Sequence, residues 1–408
     1  MSKVIRVLIA DDSAFMRKVL SDLFGKQPDF DVAGTAMNGK DAISKVKQLK
    51  PDLLTMDVNM PVMDGLNALA VIMEECPLPV VMLSSLTQEG TDATVKALSL
   101  GAVDFISKAG GSISRIDTIE SEILQKCRDA AQAHVHKTLT MPGPVKGKSA
   151  ASDVPVMKHV ELTKRQGLKL GGAVTTPSVS QPVSSGGIGI RRNNPLLQNR
   201  KVQLTPTAKE PPVSSMGTGS GKLVAIGTST GGPQALQNVI TRLPGSLPCG
   251  VVVVQHMPAG FTKALADRLN SISQISVKEA EDGEMIRAGH VYIAPGNFHL
   301  RVQAEGSIRR IRLSQEPPVG NHRPAVNVMY DSVAPIGRNL VAVIMTGMGA
   351  DGCEGMKKIK HSGGYSIAQD ASTCVVYGMP KAVVDAGLAD EVRPVQVIAQ
   401  AIVEAVKR

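Results

Sequence analysis

Hydrophobic and polar positions alternate along this chain in blocks. Short, mainly apolar runs are each followed by a longer stretch in which apolar residues recur every three or four positions. The short runs predict strands buried on both faces, and the longer stretches predict amphipathic helices. Over the first 129 residues the pattern predicts strands at 4–10, 31–34, 53–56, 80–83 and 104–106, with helices at 14–24, 39–48, 66–75 and 93–100 and a last one near 117–127. Five such units make a doubly wound five-stranded parallel sheet of the α/β class.

The same blocks return in residues 221–408. An apolar run from Leu223 leads through Gly-Thr-Ser-Thr-Gly-Gly into a helix expected at 233–240. A strand is expected at 250–255 and a helix at 261–269, then a β-rich passage at 275–313 with turns at 281–283 and 304–306. A helix at 327–334 and a strand at 340–345 follow. This is a second α/β domain with a mainly parallel sheet.

Between the two lies a segment of different character. The chain has 408 residues and a net charge of +9, and residues 129–220 hold twelve Lys or Arg against four Asp or Glu. That segment has nine prolines and no Phe, Tyr or Trp. Such a composition cannot bury enough apolar surface to offset its ordering entropy, so 130–220 is expected to be a flexible basic linker. The charge thus resides in the linker and comes without stacking aromatics, which argues against a nucleic-acid role. No stretch is long and apolar enough for a membrane span, and the start of the chain is strand-like, so no membrane insertion and a cytoplasmic location are expected. The five cysteines are widely spaced, without a Cys-x-x-Cys pair, and point to neither a disulfide framework nor zinc.

Ligands of a doubly wound sheet gather at the carboxyl ends of its strands. In the first domain those ends carry Asp11 and Asp12, Asp57, Ser84 and Lys108. Clustered carboxylates repel unless a cation joins them, and oxygen donors alone suit Mg2+ better than zinc. A hydroxyl and a lysine opposite are what a transferred phosphoryl group needs. Taken singly, Asp11 and Asp12 could cap the first helix and Lys108 could simply be solvated. The ordered set resembles a response-regulator receiver domain, most specifically in Met-Asp-Val-Asn-Met-Pro-Val-Met-Asp-Gly at 56–65. The resemblance implies phosphorylation of Asp57 and magnesium held by Asp12, Asp57 and the Asn59 carbonyl, with Asp11 behind them. It also implies phosphoryl contacts from Ser84 and Lys108, and a reorienting aromatic at Phe105. Ala109 stands where receivers usually carry proline.

In the second domain three expected strands each end in one polar residue: Ser229, His256 and Asp351. A glycine-flanked serine on a strand-to-helix turn fits a nucleophile elbow, and a glycine-rich turn of this kind also cradles dinucleotides. A dinucleotide site would want an acidic residue after the next strand, where this chain has His256. A serine hydroxyl needs an imidazole to take its proton, and the imidazole a carboxylate to orient it. His322 and His299 are rival imidazoles, and Asp351 could equally cap the helix that follows it.

The motifs Gly-Thr-Ser-Thr-Gly-Gly, Gln255-His-Met-Pro-Ala-Gly, Tyr292-Ile-Ala-Pro-Gly, Asn321-His-Arg-Pro and Thr346-Gly-Met-Gly-Ala-Asp-Gly resemble the catalytic domain of the chemotaxis protein-glutamate methylesterases. The resemblance implies hydrolysis of glutamyl methyl esters on chemoreceptors and deamidation of particular receptor glutamines. It implies Ser229 as nucleophile, His256 as base and then acid, and Asp351 as its orienting partner, with no cofactor for this step. Backbone N–H groups near Ser229 and Met348 are the candidates for an oxyanion hole, with Thr230 lining the site. Activation by the receiver, phosphorylated by a chemotaxis histidine kinase (CheA), is also implied.

Overall fold

Apolar runs spread through the two α/β regions build two parallel sheets in a computed structural model that describes residues 4–85, 87–108, 116–133, 221–306 and 308–408. Most of the expected linker, and Ala109, lie outside the described residues. The first sheet is formed by β1 (Ile5–Ala10), β2 (Phe30–Ala36), β3 (Leu53–Asp57), β4 (Val80–Ser85) and β5 (Asp104–Lys108), and its strand order is β2-β1-β3-β4-β5. The crossover helices are α1 (Ala14–Gly25), α2 (Gly39–Leu49), α3 (Gly65–Glu75), α4 (Gln88–Leu100) and α5 (Ile116–Ala131). Every pairing is parallel. Side-chain caps start the helices: Ser13, Asn38 and Asp64 accept the N–H groups of Met16, Asp41 and Asn67. Ser13, rather than Asp11 or Asp12, therefore caps α1. Helix α4 begins at Gln88, a full turn before the expected 93, because Thr87 caps it through the Gly90 N–H while its first turn is polar and shows no apolar period.

The second region contains β6 (Leu223–Thr228), α6 (Gly232–Ile240), β7 (Gly250–Gln255), α7 (Phe261–Ile272), β8 (Ser276–Glu279) and β9 (His290–Ile293). An antiparallel hairpin follows, β10 (His299–Glu305) with β11 (Ile308–Ser314). Then come α8 (Val326–Val333), β12 (Leu340–Ile344), α9 (Cys353–His361), β13 (Tyr365–Gln369), α10 (Met379–Asp385), β14 (Glu391–Arg393) and α11 (Val395–Lys407). The seven-stranded sheet has the order β14-β13-β12-β6-β7-β9-β8 and is parallel throughout. Strands β6, β7 and β12 are buried over their whole length, as expected of central strands covered by helices on both faces.

The two regions share one apolar cluster. Val95 and Leu98 of α4 and Phe105 of β5 belong to it together with Met257, Phe261 and Leu265. The rings of Phe105 and Phe261 meet at 4.4 Å between centroids, tilted by 34°. Such a pair contributes about 0.5–1.5 kcal/mol beyond the area it buries. The α4–β5–α5 side of the first region is thereby seated against the strand-end edge of the second, with α4 lying on α6 and α7.

The middle of the larger sheet leaves no room for added side-chain volume. A Cβ on Gly227 would lie 2.4 Å from Val326 Cγ1 and 3.0 Å from its Cγ2. Gly227→Ala should therefore lower stability by about 1–3 kcal/mol, read as a lower urea midpoint; an unchanged midpoint would show that α8 is not packed this tightly on β6.

Candidate active site

Parallel register is what brings the three strand ends together. Thr228 of β6 pairs with Gln255 of β7, so the next residue on each strand, Ser229 and His256, leaves the sheet at one level. On the other side Gly227 pairs with Ile344 of β12, whose following loop carries Asp351. The turn at Ser229 is fixed through its backbone. Its N–H donates to the Thr346 carbonyl at 3.0 Å, and its own carbonyl accepts Gly232 N–H at 2.7 Å and Gln255 Nε2 at 3.0 Å. Gln255 is in turn held by the Thr228 hydroxyl at 2.7 Å. Gly347 lets the neighbouring loop come close, since a Cβ there would fall 2.8 Å from Ser229 Cβ.

The side chains form a chain of two hydrogen bonds. Ser229 Oγ is 3.1 Å from His256 Nδ1, and His256 Nε2 is 2.8 Å from Asp351 Oδ2. An ionised carboxylate only accepts, so Nε2 carries the proton and the Nδ1 lone pair faces the serine hydroxyl. That is the tautomer a general base requires. Asp351 also accepts the N–H groups of Val326 at 2.7 Å and Asn327 at 2.9 Å, at the start of α8. It caps that helix, not the α9 that follows it, and orients His256 at the same time. Burial pushes the Asp351 carboxyl up, but the imidazole and the two N–H groups outweigh burial and leave it below its ordinary value.

Of the rival imidazoles, His299 is fully buried with its Nε2 on the Pro317 carbonyl at 3.1 Å and takes no part in the site. His322 lies flat against His256, with centroids 3.8 Å apart and ring planes within 10°. Burial first, and then the neighbouring His256, push His322 down to about 4. Its place in the site was not legible in the sequence, where Asn-His-Arg-Pro offered only a motif outside any strand.

The expected oxyanion region is partly engaged. The Ser229 N–H is committed to Thr346, whereas the backbone N–H groups of Thr230 and Met348 have no acceptor among the described residues. The Thr230 hydroxyl donates to Asp104 Oδ2 of the first region at 2.9 Å, and the Gly231 N–H donates to the Val103 carbonyl at 3.3 Å. Met348 is 39% exposed, with Gln125 Nε2 at 4.0 Å from its Sδ. The space left between Ser229, His256 and the first region's Leu98, Asp104 and Phe105 is about 10 Å³. That is room for one water and far too little for an ester side chain.

At the carboxyl edge of the smaller sheet, carboxylate oxygens of Asp11, Asp12 and Asp57 lie within 4.8 Å of one another. Lys108 Nζ bridges Asp11 at 2.8 Å and Asp57 at 2.7 Å. Burial outweighs that ammonium and leaves the Asp57 carboxyl above its ordinary value. Three carboxylates facing one lysine leave a negative surplus in an all-oxygen donor set, which fits a hard divalent cation. Ser84 is buried, and its hydroxyl donates to the Gly90 carbonyl of α4 at 2.9 Å. The Asn59 N–H lies 3.5 Å from Asp57 Oδ1.

Comparison with known proteins gives one family for each of the two regions. The family described as "CheB methylesterase" matches residues 224–402, and the "Response regulator receiver domain" family matches residues 7–118. A curated protein-glutamate methylesterase/protein-glutamine glutaminase of Symbiobacterium thermophilum is 46% identical over 98% of this chain and 97% of its own. Another, from Thermotoga maritima, is 42% identical over 99% of each. The crystal structure of the Thermotoga maritima CheB methylesterase catalytic domain aligns at 49% identity with a TM-score of 0.44, covering 45% of this chain and 97% of that one.

The lowered Asp351 carboxyl sets a pH dependence. A group depressed in the folded state contributes stability that is present above its unfolded pKa and lost as pH falls through its folded one. The stability gap between wild type and Asp351→Asn should thus be full above about pH 5 and close as pH drops below the ordinary aspartate value of about 4. Urea midpoints across that range would measure it, and a gap unchanged down to pH 3 would contradict the assignment.

Proposed function

The chain belongs to the CheB family of protein-glutamate methylesterases/protein-glutamine glutaminases that carry a response-regulator receiver domain, and from that premise we propose that it hydrolyses glutamyl methyl esters on chemoreceptors through Ser229, His256 and Asp351. In this reading residues 1–129 are the receiver, 130–220 connect, and 221–408 are the hydrolase. The observation that carries it is the hydrogen-bonded line from Ser229 Oγ through both nitrogens of His256 to Asp351.

The reaction follows from that line. Ser229 Oγ attacks the γ-carbonyl carbon while His256 Nδ1 takes its proton, and Asp351 stabilises the imidazolium through Nε2. The carbonyl oxygen becomes an oxyanion, for which the Thr230 and Met348 N–H groups are the available donors. The imidazolium returns its proton to the departing methanol, leaving a glutamyl ester on Ser229. Water then attacks that ester, giving its proton to His256, and the free glutamate leaves as Oγ is reprotonated. With a receptor glutamine the leaving group is ammonia, which depends still more on the returned proton.

The receiver governs access. With about 10 Å³ beside Ser229 and Asp104 holding the Thr230 hydroxyl, the docked arrangement supports reading it as the closed state. Asp57 is the proposed phosphoacceptor, with a phosphohistidine of the chemotaxis kinase CheA as donor. Asp11, Asp12, Asp57 and the Asn59 carbonyl would hold Mg2+, which when bound shields the charge of the incoming phosphoryl group. Strand β5 carries Lys108 at the phosphorylation edge and Asp104 and Phe105 at the docking surface, so a displaced Lys108 has a short path to the contact on Thr230. Ser84 would exchange the Gly90 carbonyl for the phosphoryl group. A cytoplasmic enzyme acting on the cytoplasmic helices of receptors is the setting this chemistry fits. Among the described residues no helix is long and apolar enough to cross a membrane.

Methanol release from methylated receptor tests both parts. Ser229→Ala should abolish release, and a small-molecule phosphodonor with Mg2+ should stimulate wild type but not Asp57→Asn. Asp104→Ala, which loses a charge-assisted bond, should raise unstimulated release about tenfold. Release by Ser229→Ala at the wild-type rate would refute the nucleophile, and equal stimulation of Asp57→Asn would refute the gate.

A further inference from the structure

Among the described residues, the ring of His256 has its hydrogen-bond partners in its own plane, Ser229 on Nδ1 and Asp351 on Nε2. Both leave the ring free to rock out of plane about a torsion whose energy well is broad. One of the two partners is lost in every turnover, because Ser229 Oγ is esterified between the two half-reactions. At that stage the ring hangs on Asp351 alone, just when Nδ1 must aim a water at the acyl carbon. What remains is the ring's face, and one face is covered by His322 at 3.8 Å between centroids and 10° between planes.

We propose that His322 is a positioning residue that holds the imidazole plane of His256 by stacking on it, so that Nδ1 stays aimed at the acyl carbon after Ser229 is esterified. The proposal rests on the reading of Ser229, His256 and Asp351 given above. A flat ring is required here, because it resists tilting over the whole face of its neighbour, where a branched aliphatic group would touch it at a few points. The stacked partner must also remain uncharged, since His256 becomes a cation in each half-reaction. The groups facing His322 meet that need: burial and the cations of His256 and of Lys126 on α5 disfavour its charge, and only Asp351 favours it. Lys126 is anchored there by the Phe105 carbonyl at 2.6 Å and by Asp104 at 3.3 Å. His322 is thus held as a neutral aromatic plate. The Asn321-His-Arg-Pro motif, which has no place in the relay itself, gains a role on this basis.

The test uses the full chain with phosphodonor present and compares His322→Phe, His322→Leu and His322→Ala in steady-state methanol release. His322→Ala should lower kcat by at least about tenfold with KM unchanged or falling in step, as expected when a misaimed base slows hydrolysis of the acyl-enzyme. His322→Phe, a flat and uncharged ring, should keep kcat within about threefold of wild type, while His322→Leu should fall with the alanine variant. The low-field proton signal of His256 Nε2–H should persist in His322→Phe and broaden in His322→Ala. Wild-type kcat in His322→Ala would overturn the proposal, as would rescue by Leu equal to rescue by Phe, or a loss carried wholly by KM. If His322→Ala does not fold, the Phe and Leu variants, similar in bulk and different in shape, decide alone. Ser229→Ala run in parallel separates the two levels: an inactive Ser229→Ala beside a fully active His322→Ala leaves the relay standing and removes only the stacking role.

Discussion

Three neighbouring strands running the same way, in fixed register, are what the rest of this molecule depends on. Because β6, β7 and β12 are adjacent and parallel, Ser229 and His256 arrive at one sheet edge directly from their strands, and the loop after β12 brings Asp351 to the same edge. The rest of the local structure secures those arrivals. Thr346 and Gln255 pin the Ser229 backbone, and Gly347 allows the β12 loop to close on it. Asp351 also accepts the first two N–H groups of α8, Val326 on the oxygen that faces His256 and Asn327 on the other, so the carboxylate that orients the imidazole is itself fixed by a helix start. A carboxylate held by three donors stays ionised although buried, which is the state a proposed proton relay needs at neutral pH.

The same edge is also the docking surface for the first region, and this creates a conflict that regulation can use. Apolar burial around Phe105 and Phe261 favours docking. Docking in turn places Asp104 on Thr230 and the Val103 carbonyl on Gly231, beside the proposed nucleophile Ser229. Burial of a patch of this kind contributes roughly 25 cal/mol per Å² of apolar surface removed from water. The strand linking the Asp57–Lys108 edge to that patch is β5, only five residues long.

Much of this was readable from the chain because central parallel strands are unbroken apolar runs, and a polar residue directly after such a run can hardly be anywhere but the sheet edge. Ser229, His256, Asp57 and Lys108 were legible for that reason. Other features were not, because nothing local encodes them. The stacking of His322 depends on where a loop from β11 to α8 returns, and Asp104 on Thr230 depends on how two sheets remote in sequence meet. Asp351 was posed as either the cap of the helix that follows it or the partner of the imidazole; it is bonded to His256 and caps α8, which precedes it in sequence, rather than α9. The first turn of α4 was missed because its polar residues follow the Thr87 cap, with no apolar period to mark it. The elements from β13 onward were not assigned from the sequence at all, and they complete one side of the larger sheet.

Reaction with a fluorophosphonate, followed by mass spectrometry of the adduct, tests the central claim most directly, because it reports an activated serine without any receptor. The account predicts a single covalent adduct on Ser229, formed faster when the receiver is phosphorylated and lost in His256→Ala. An adduct elsewhere, or labelling of Ser229 at an undiminished rate in His256→Ala, would contradict it.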